Sequence, residues 1–344
     1  MMQSNSMPRL VKLGLLGAAA LGVVAGALSS QLVTLAQDAE PQTFTIMAGA
    51  SSAGNAEVLA FAPQSLQVHR GDMVTWVNNG FHNIHFETEP LPLVVMADAN
   101  GQQVPAMNPG IVFPSIDSGS VYSGGDVNSG LPLPGVSPIF SLQIDLEPGT
   151  YSYMCDIHPG MAGVITVVTD DVTIPSPFET SLQGAGEFGA TLGAAFEANA
   201  AIEAQTFTDE AIHSGQINMG SADTGRATLN QFYPFATVIK AGESVTWTNP
   251  EGSIEPHLVA WPPVRGQDVT PIEVAGQPPV MAVGPTLAPL TNSGDAIAPG
   301  QAFSSGLIFP GQSFSMTFSE PGVYPFTCNI HPGMNGTVIV EPAA

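Results

Sequence analysis

Residues 149–167 read GTYSYMCDIHPGMAGVITV, and residues 322–340 read GVYPFTCNIHPGMNGTVIV. Each stretch holds one cysteine, one histidine and one methionine in the spacing C-x-x-H-x-x-M. They are Cys155, His158 and Met161 in the first stretch and Cys328, His331 and Met334 in the second. All three pairs stand 173 positions apart. The turn before each stretch repeats too, Glu147-Pro148-Gly149 against Glu320-Pro321-Gly322. Upstream, GDMVTWVN at 71–78 matches GESVTWTN at 242–249. One more histidine follows each, His82 in GFHNIHF and His257 in EPHLVAW. Self-similarity at a nearly constant offset marks a duplicated structural unit. One such motif would be a weak signal, but two copies sharing an upstream histidine and a VTW strand make a strong one.

The pattern around these residues is β throughout. SLQVHRGDMVTWVN (65–78), FSLQIDLEPGTYSYMC (140–155) and MAGVITVVT (161–169) show alternation or β-branched runs between Gly, Pro, Asn and Asp turns. ATVIKAGESVTWTN, QSFSMTFSEPGVYPFTC and NGTVIVEP repeat the theme in the second copy. The 37 glycines and 31 prolines favour the same loop-rich, all-β class, read as a sandwich or barrel. The repeats place one domain at 43–168 and another at 212–342, with a linker over 169–211 whose Ala- and Glu-rich part, 181–205, is expected to be partly helical. Each copy also has a long Gly/Pro/Ser-rich insert, from Glu87 to about Pro138 and from Pro262 to about Phe309. These are expected to be irregular loops with at most a short helix and no chemistry of their own.

The first residues have a different character. Arg9 and Lys12 precede an apolar run, LGLLGAAALGVVAGAL (13–28), and the chain then turns polar with small residues near Thr34 and Ala36. This is the layout of a secretory signal over 1–36, cleaved after Ala36, with an uncleaved membrane anchor as the alternative. Beyond it remain four bases against 29 acids, a formal charge of −25. Nucleic acid and anionic membrane surfaces are poor partners for such a chain, and a membrane role depends on retention of the leader. A basic docking surface on a partner protein would be attracted.

Histidine nitrogen, cysteine thiolate and methionine thioether together form a soft ligand set. Two histidines and a thiolate in a trigonal arrangement, with a weak axial methionine, make a blue-copper electron-transfer site. The candidate ligands are His82, Cys155, His158 and Met161 in the first copy and His257, Cys328, His331 and Met334 in the second. At these positions the sequence resembles the cupredoxins, in particular the plastocyanin and amicyanin group. The family's P-H-N-V context is matched by Phe81-His82-Asn83-Ile84. Its G-x-Y-x-(F/Y)-x-C-x-x-H segment is matched by Gly149, Tyr151, Tyr153, Cys155 and His158. The resemblance covers the β core of both copies but neither the inserts nor the linker.

That resemblance implies two Greek-key β-sandwich or barrel domains with one type-1 copper each, carrying single electrons between redox partner proteins; with the leader, this reads as an exported protein, periplasmic or extracellular. It also implies that the rings of His158 and His331 reach the surface as electron ports while His82 and His257 are more buried. Asn83 would hydrogen-bond and steady the ligand loop. The second copy departs from the pattern with Leu258 after His257, which points to two different reduction potentials.

Other readings compete. Cys155 and Cys328 could form a disulfide, and the two methionines could be core fillers. His82-x-x-His85 looks like a metal pair, but on a strand these positions face opposite sides, so His85 reads as a surface or packing histidine, as do His69 and His213. Trp76 and Trp247 read as core anchors. The acids form no recurring constellation and default to solvated surface. A two-domain copper oxidase or copper nitrite reductase would need a second kind of copper centre. Only three histidines remain for it, with no His-x-His among them. A periplasmic copper-handling protein is the third option, but such proteins cluster methionines or histidines rather than pairing complete ligand sets.

Overall fold

In the computed structural model the described residues are 40–51, 55–86, 89–221, 226–264 and 268–343. The leader reading falls on residues 1–36, outside them. Alternation becomes strand where it was expected. Phe44, Ile46 and Ala48 of the strand Thr43–Ser51 point inward, and so do Val74 and Trp76 of Met73–Asn78. The two strands run parallel, pairing Ile46 with Trp76. β-branched and aromatic side chains suit such half-buried, pleated surfaces.

The first half is a pair of facing sheets. One has the order Ala227–Leu229, Ala56–Ala62, Thr43–Ser51, Met73–Asn78, Ile139–Ile144, Ser120–Tyr122, and the other Ser65–His69, Ala162–Val168, Gly149–Met154, His85–Phe86, Val127–Asn128. The second half repeats this plan, with Gln216–Met219, Ser244–Thr248 and Ser313–Phe318 in one sheet and Ala236–Lys240, Asn335–Glu341 and Gly322–Thr327 in the other. Both sheets mix parallel and antiparallel neighbours, as a Greek-key sandwich does. Trp76 stacks edge-on against Tyr153 at 5.4 Å, and Trp247 does the same against Phe326 at 5.3 Å. Both tryptophans are fully buried. Truncating such a core aromatic costs about 3–5 kcal/mol.

Between the halves runs a helix, Pro177–Thr206. Ser176 caps it, Glu179 closes the capping box and Pro177 occupies its first turn. It lies on the strands Thr43–Ser51 and Ala56–Ala62. Gly184 permits the approach, since a Cβ there would lie 2.9 Å from the Ala62 carbonyl carbon. Glu187 accepts a hydrogen bond from the Gln64 amide at 2.8 Å.

The inserts differ from expectation. Val94–Ala99 and Gln102–Met107 of the first pair into one four-stranded sheet with Val269–Ile272 and Val280–Val283 of the second. Neither insert could form this sheet alone, which explains why each looks irregular by itself. A second exchange carries Ala227–Leu229, from the second half, onto the edge of the first half's sheet, pairing Ala227 with Val58 and Leu229 with Ala56. Covering an edge removes a row of unpaired backbone groups. Residues Ala39–Ala344 accordingly form one compact unit.

Candidate metal centres

Each ligand candidate is delivered by the local chain in a way the sequence dictates. Cys155 directly follows the strand Gly149–Met154, and its amide donates to the Met161 carbonyl at 2.9 Å. Met161 in turn donates to the His158 carbonyl at 3.0 Å, closing the Asp156–Gly160 loop on itself. Gly160 takes φ +87°, which glycine adopts without cost. Cys328, His331 and Met334 repeat these bonds at 2.9 and 3.2 Å, with Gly333 at φ +95°. His82 sits in the loop between Met73–Asn78 and His85–Phe86, where the Asn78 side-chain amide donates to its carbonyl. His257 is fixed by two backbone bonds to Ile308, at 3.1 and 2.7 Å.

Two buried clusters result, His82/Cys155/His158 and His257/Cys328/His331. In the first the histidine Nδ1 atoms face each other at 2.8 Å, and the Cys155 Sγ lies 3.9 and 3.7 Å from them. In the second the Nδ1 atoms are 3.0 Å apart and Sγ of Cys328 is 3.5 Å from His331. A first-row metal ion binds imidazole nitrogen at about 2.0–2.1 Å and thiolate at about 2.3 Å, so each triangle can surround one ion if the histidine nitrogens part slightly. Both cysteines are free thiols, which removes the disulfide alternative. Met161 and Met334 are buried in the same core clusters as Cys155 and Cys328.

Two glycines make room for the upstream rings. A Cβ on Gly49 would fall 2.1 Å from Nε2 of His82, and one on Gly220 would fall 2.6 Å from Nε2 of His257. Both Nε2 atoms are buried and have no hydrogen-bond partner among the described residues. Burial, followed by the neighbouring His158, pushes the His82 pKa down to about 3.

The downstream rings behave differently from the family expectation. His158 and His331 are only 6% and 9% exposed. Their outer nitrogens meet the same carboxylate: Nε2 of His158 lies 3.2 Å from Oε1 of Glu255, and Nε2 of His331 lies 3.4 Å from Oε2. The Oε2 contact is electrostatic rather than a well-formed hydrogen bond. Burial opposes charge on both rings, but the cysteine and Glu255 beside each outweigh it and raise them to about 10. Burial likewise opposes the Cys328 thiolate, yet His331 and then His257 bring it down to about 5. Glu255 is buried too, and its two histidine partners hold it well below the ordinary carboxylate range. To hold a metal, each set would need its histidines neutral at the ligating nitrogen and its cysteine as thiolate. Glu255 and both rings line a chamber of about 1110 Å³ whose other walls are mostly apolar, among them Phe81, Leu93, Met107 and Met281.

The two centres differ behind the cysteine. In the first half Asn83 donates to Asp156 Oδ2 at 2.6 Å and accepts from the Asp156 amide at 2.9 Å, steadying the ligand loop. His85 is buried, not superficial, and bonds Asp156 and Asp126 at 3.0 Å each. The Asp156 bond leads in raising its pKa. Asn128 completes the network through Asp156 at 3.2 Å. The matching positions in the second half are Leu258, Ala260, Asn329 and Ser304. Sequence reasoning missed Glu255, Asp156 and His85, but Gly49 and Gly220 recur in the repeat and were there to be found. His69 contacts the Val172 carbonyl and His213 that of Asp209. Among the described residues no other three His, Cys, Asp or Glu side chains bring their ligand atoms all within 4.8 Å of one another.

The sequence model of the family described as copper binding proteins, plastocyanin/azurin family, matches residues 48–168 and again 220–341. A plastocyanin from Scenedesmus fuscus is 33% identical over 127 residues, covering 36% of this chain and 97% of that protein. The chloroplastic plastocyanin of Physcomitrium patens is 30% identical over 118 residues, 33% of this chain and 54% of its own length. Similar solved structures include amicyanin from Paracoccus versutus, 23% identical over 37% of this chain and 79% of that one, at a TM-score of 0.20. A purple cupredoxin from Nitrosopumilus maritimus is 24% identical, covering 37% and 98%, at a TM-score of 0.21.

Proposed function

Because the chain belongs to the plastocyanin/azurin family of copper-binding proteins, we propose that it is an electron carrier with one type-1 copper in each half. The observation that carries this reading is the pair of buried His/His/Cys triangles, each of a size for one ion. Copper bound there would supply one-electron chemistry. His82, Cys155 and His158 would hold it in the first half and His257, Cys328 and His331 in the second, with Met161 and Met334 as the weak axial donors. Burial of every one of these side chains keeps water away, and the strand ends and short loops that bear them keep the geometry fixed in both oxidation states. We further propose export, from the leader over 1–36, and redox partners with basic docking surfaces, from the acidic balance.

Copper analysis with visible and electron paramagnetic resonance spectra tests the reading. The expected result is about two coppers per chain, an intense blue band and no type-2 signal. A type-2 signal in addition would favour an oxidase or reductase. A colourless protein that binds only cuprous ion would favour copper handling.

A further inference from the structure

We propose that Glu255 wires the two centres to each other. Its carboxylate joins the outer edge of His158 to that of His331, making electron exchange between the halves internal to the chain. The inference rests on the copper reading above, and the geometry behind it stands on its own. One carboxylate offers one oxygen to each ring, at 3.2 and 3.4 Å, and all three side chains are buried. A buried carboxylate is costly unless paired, by several kcal/mol per ion. Here its partners are the two rings that would face outward in a single-domain carrier.

The second half is built to hold this residue. The Asn249 side chain, at the end of the VTW strand, donates to the Glu255 carbonyl at 2.9 Å and to the Ile308 carbonyl at 2.9 Å. Its counterpart Asn78 grips the His82 carbonyl instead. The repeat has also diverged at the position itself, with Gly80 standing where the second copy has Glu255. No room exists for a larger residue there: a Cβ on Gly80 would lie 2.6 Å from Nε2 of His82. A single carboxylate therefore serves both halves. Of the two other acids lining this chamber, Glu57 and Asp268, Glu57 is disfavoured as an anion by burial and by Glu255.

The exchange needs no co-reactant. One electron leaves the reduced centre and arrives at the oxidised one through His158, Glu255 and His331, with no bond made or broken and no net proton transfer. Both ring edges are then engaged with Glu255 rather than with an outside protein. The carboxylate acts only through the rings, favouring the more positive, oxidised state of both sites.

Two variants test this, E255Q, which keeps the shape and removes the charge, and E255A, which removes the bridge. In the full chain without metal, nitrogen-15 NMR should show the Nε2 protons of both His158 and His331 protected from exchange, and both exposed to it in E255A. Loss at one ring alone, or at neither, overturns the bridge. In the copper-loaded chain, pulse reduction should give a concentration-independent relaxation that is at least tenfold slower in E255A. In E255Q both midpoints should rise, by up to tenfold in the reduction equilibrium, or 59 mV for one electron. An unchanged relaxation overturns the path. A wild-type chain that takes up copper without a blue band overturns the carrier reading and the path together, while the ring-proton result still decides the bridge.

Discussion

Gly49 lies so close to the ring of His82 that a Cβ at position 49 would stand 2.1 Å from Nε2. Gly220 stands to His257 in the same way, and both glycines have positive φ, +73° and +70°. Alanine at either position is therefore strained by its backbone and collides with a ligand ring. Overpacking of this kind costs about 1–3 kcal/mol. Gly49→Ala should reduce bound copper from two per chain to one and halve the blue absorbance, and Gly220→Ala should do the same through the other centre. Two coppers in both variants would show that the glycines do not admit the rings.

The two centres should differ in reduction potential. Behind Cys155 lies a hydrogen-bonded network of Asn83, His85, Asn128 and Asp156, whereas the second half places Leu258 and Ala260 there, both fully buried. Polar surroundings favour the more highly charged oxidised state, and apolar ones the reduced state. Redox titration of Cys328→Ser, which leaves the first centre, should give a lower midpoint than Cys155→Ser, which leaves the second. Indistinguishable midpoints would sink the argument.

Glu57 gives a dependence on pH with a definite sign. Burial, then the charge of Glu255, raises its pKa above the ordinary 4.5, so folding favours the protonated form. The ionised carboxylate therefore weakens the fold at neutral pH, and the penalty disappears as pH falls below the unfolded value. Glu57→Gln keeps an acceptor for the Asn230 amide, which now bonds Oε2 at 3.4 Å. The variant should melt higher than wild type at pH 7, with the gap closing below about pH 4. Equal melting points at both would show that the charge carries no penalty.

The exchanged strand and the shared sheet predict that the halves stay together when the helix between them is cut. Gly189 is an exposed position on Pro177–Thr206 where no other group comes within 4 Å of an added Cβ. A protease site built there should yield two fragments that co-elute on size exclusion and separate only in denaturant. Fragments that separate in native buffer would mean the helix is the main tether.

The ligand loops were legible because their spacing is local: Cys155 to Met161 is one turn of chain, and its twin at Cys328 removed the ambiguity. The β core was legible for the same reason, since alternation around Trp76 and Trp247 reports a face directly. Glu255 was not, because its partners are a histidine in its own half and another in the other half, and in EPHLVAW it looks like any solvated acid. Of the two readings of His85, surface or packing, the packing one holds. It faces away from His82, but toward Asp156 and Asp126 rather than toward solvent. The strands Val94–Ala99 and Val280–Val283 were hidden because half of their shared sheet belongs to the other insert.

The strand Ala227–Leu229 bears on how the chain is made. It completes a sheet whose other members end at Ile144, so the helix Pro177–Thr206 must be synthesised before that edge can be covered. On a ribosome the strand Ala56–Ala62 waits for roughly 165 further residues with its backbone edge open, at synthesis rates of about 5–20 residues per second. A nascent chain stalled before Ala227 would expose that edge to its neighbours on the same message, where the pairing partner nearest to hand is another copy of itself.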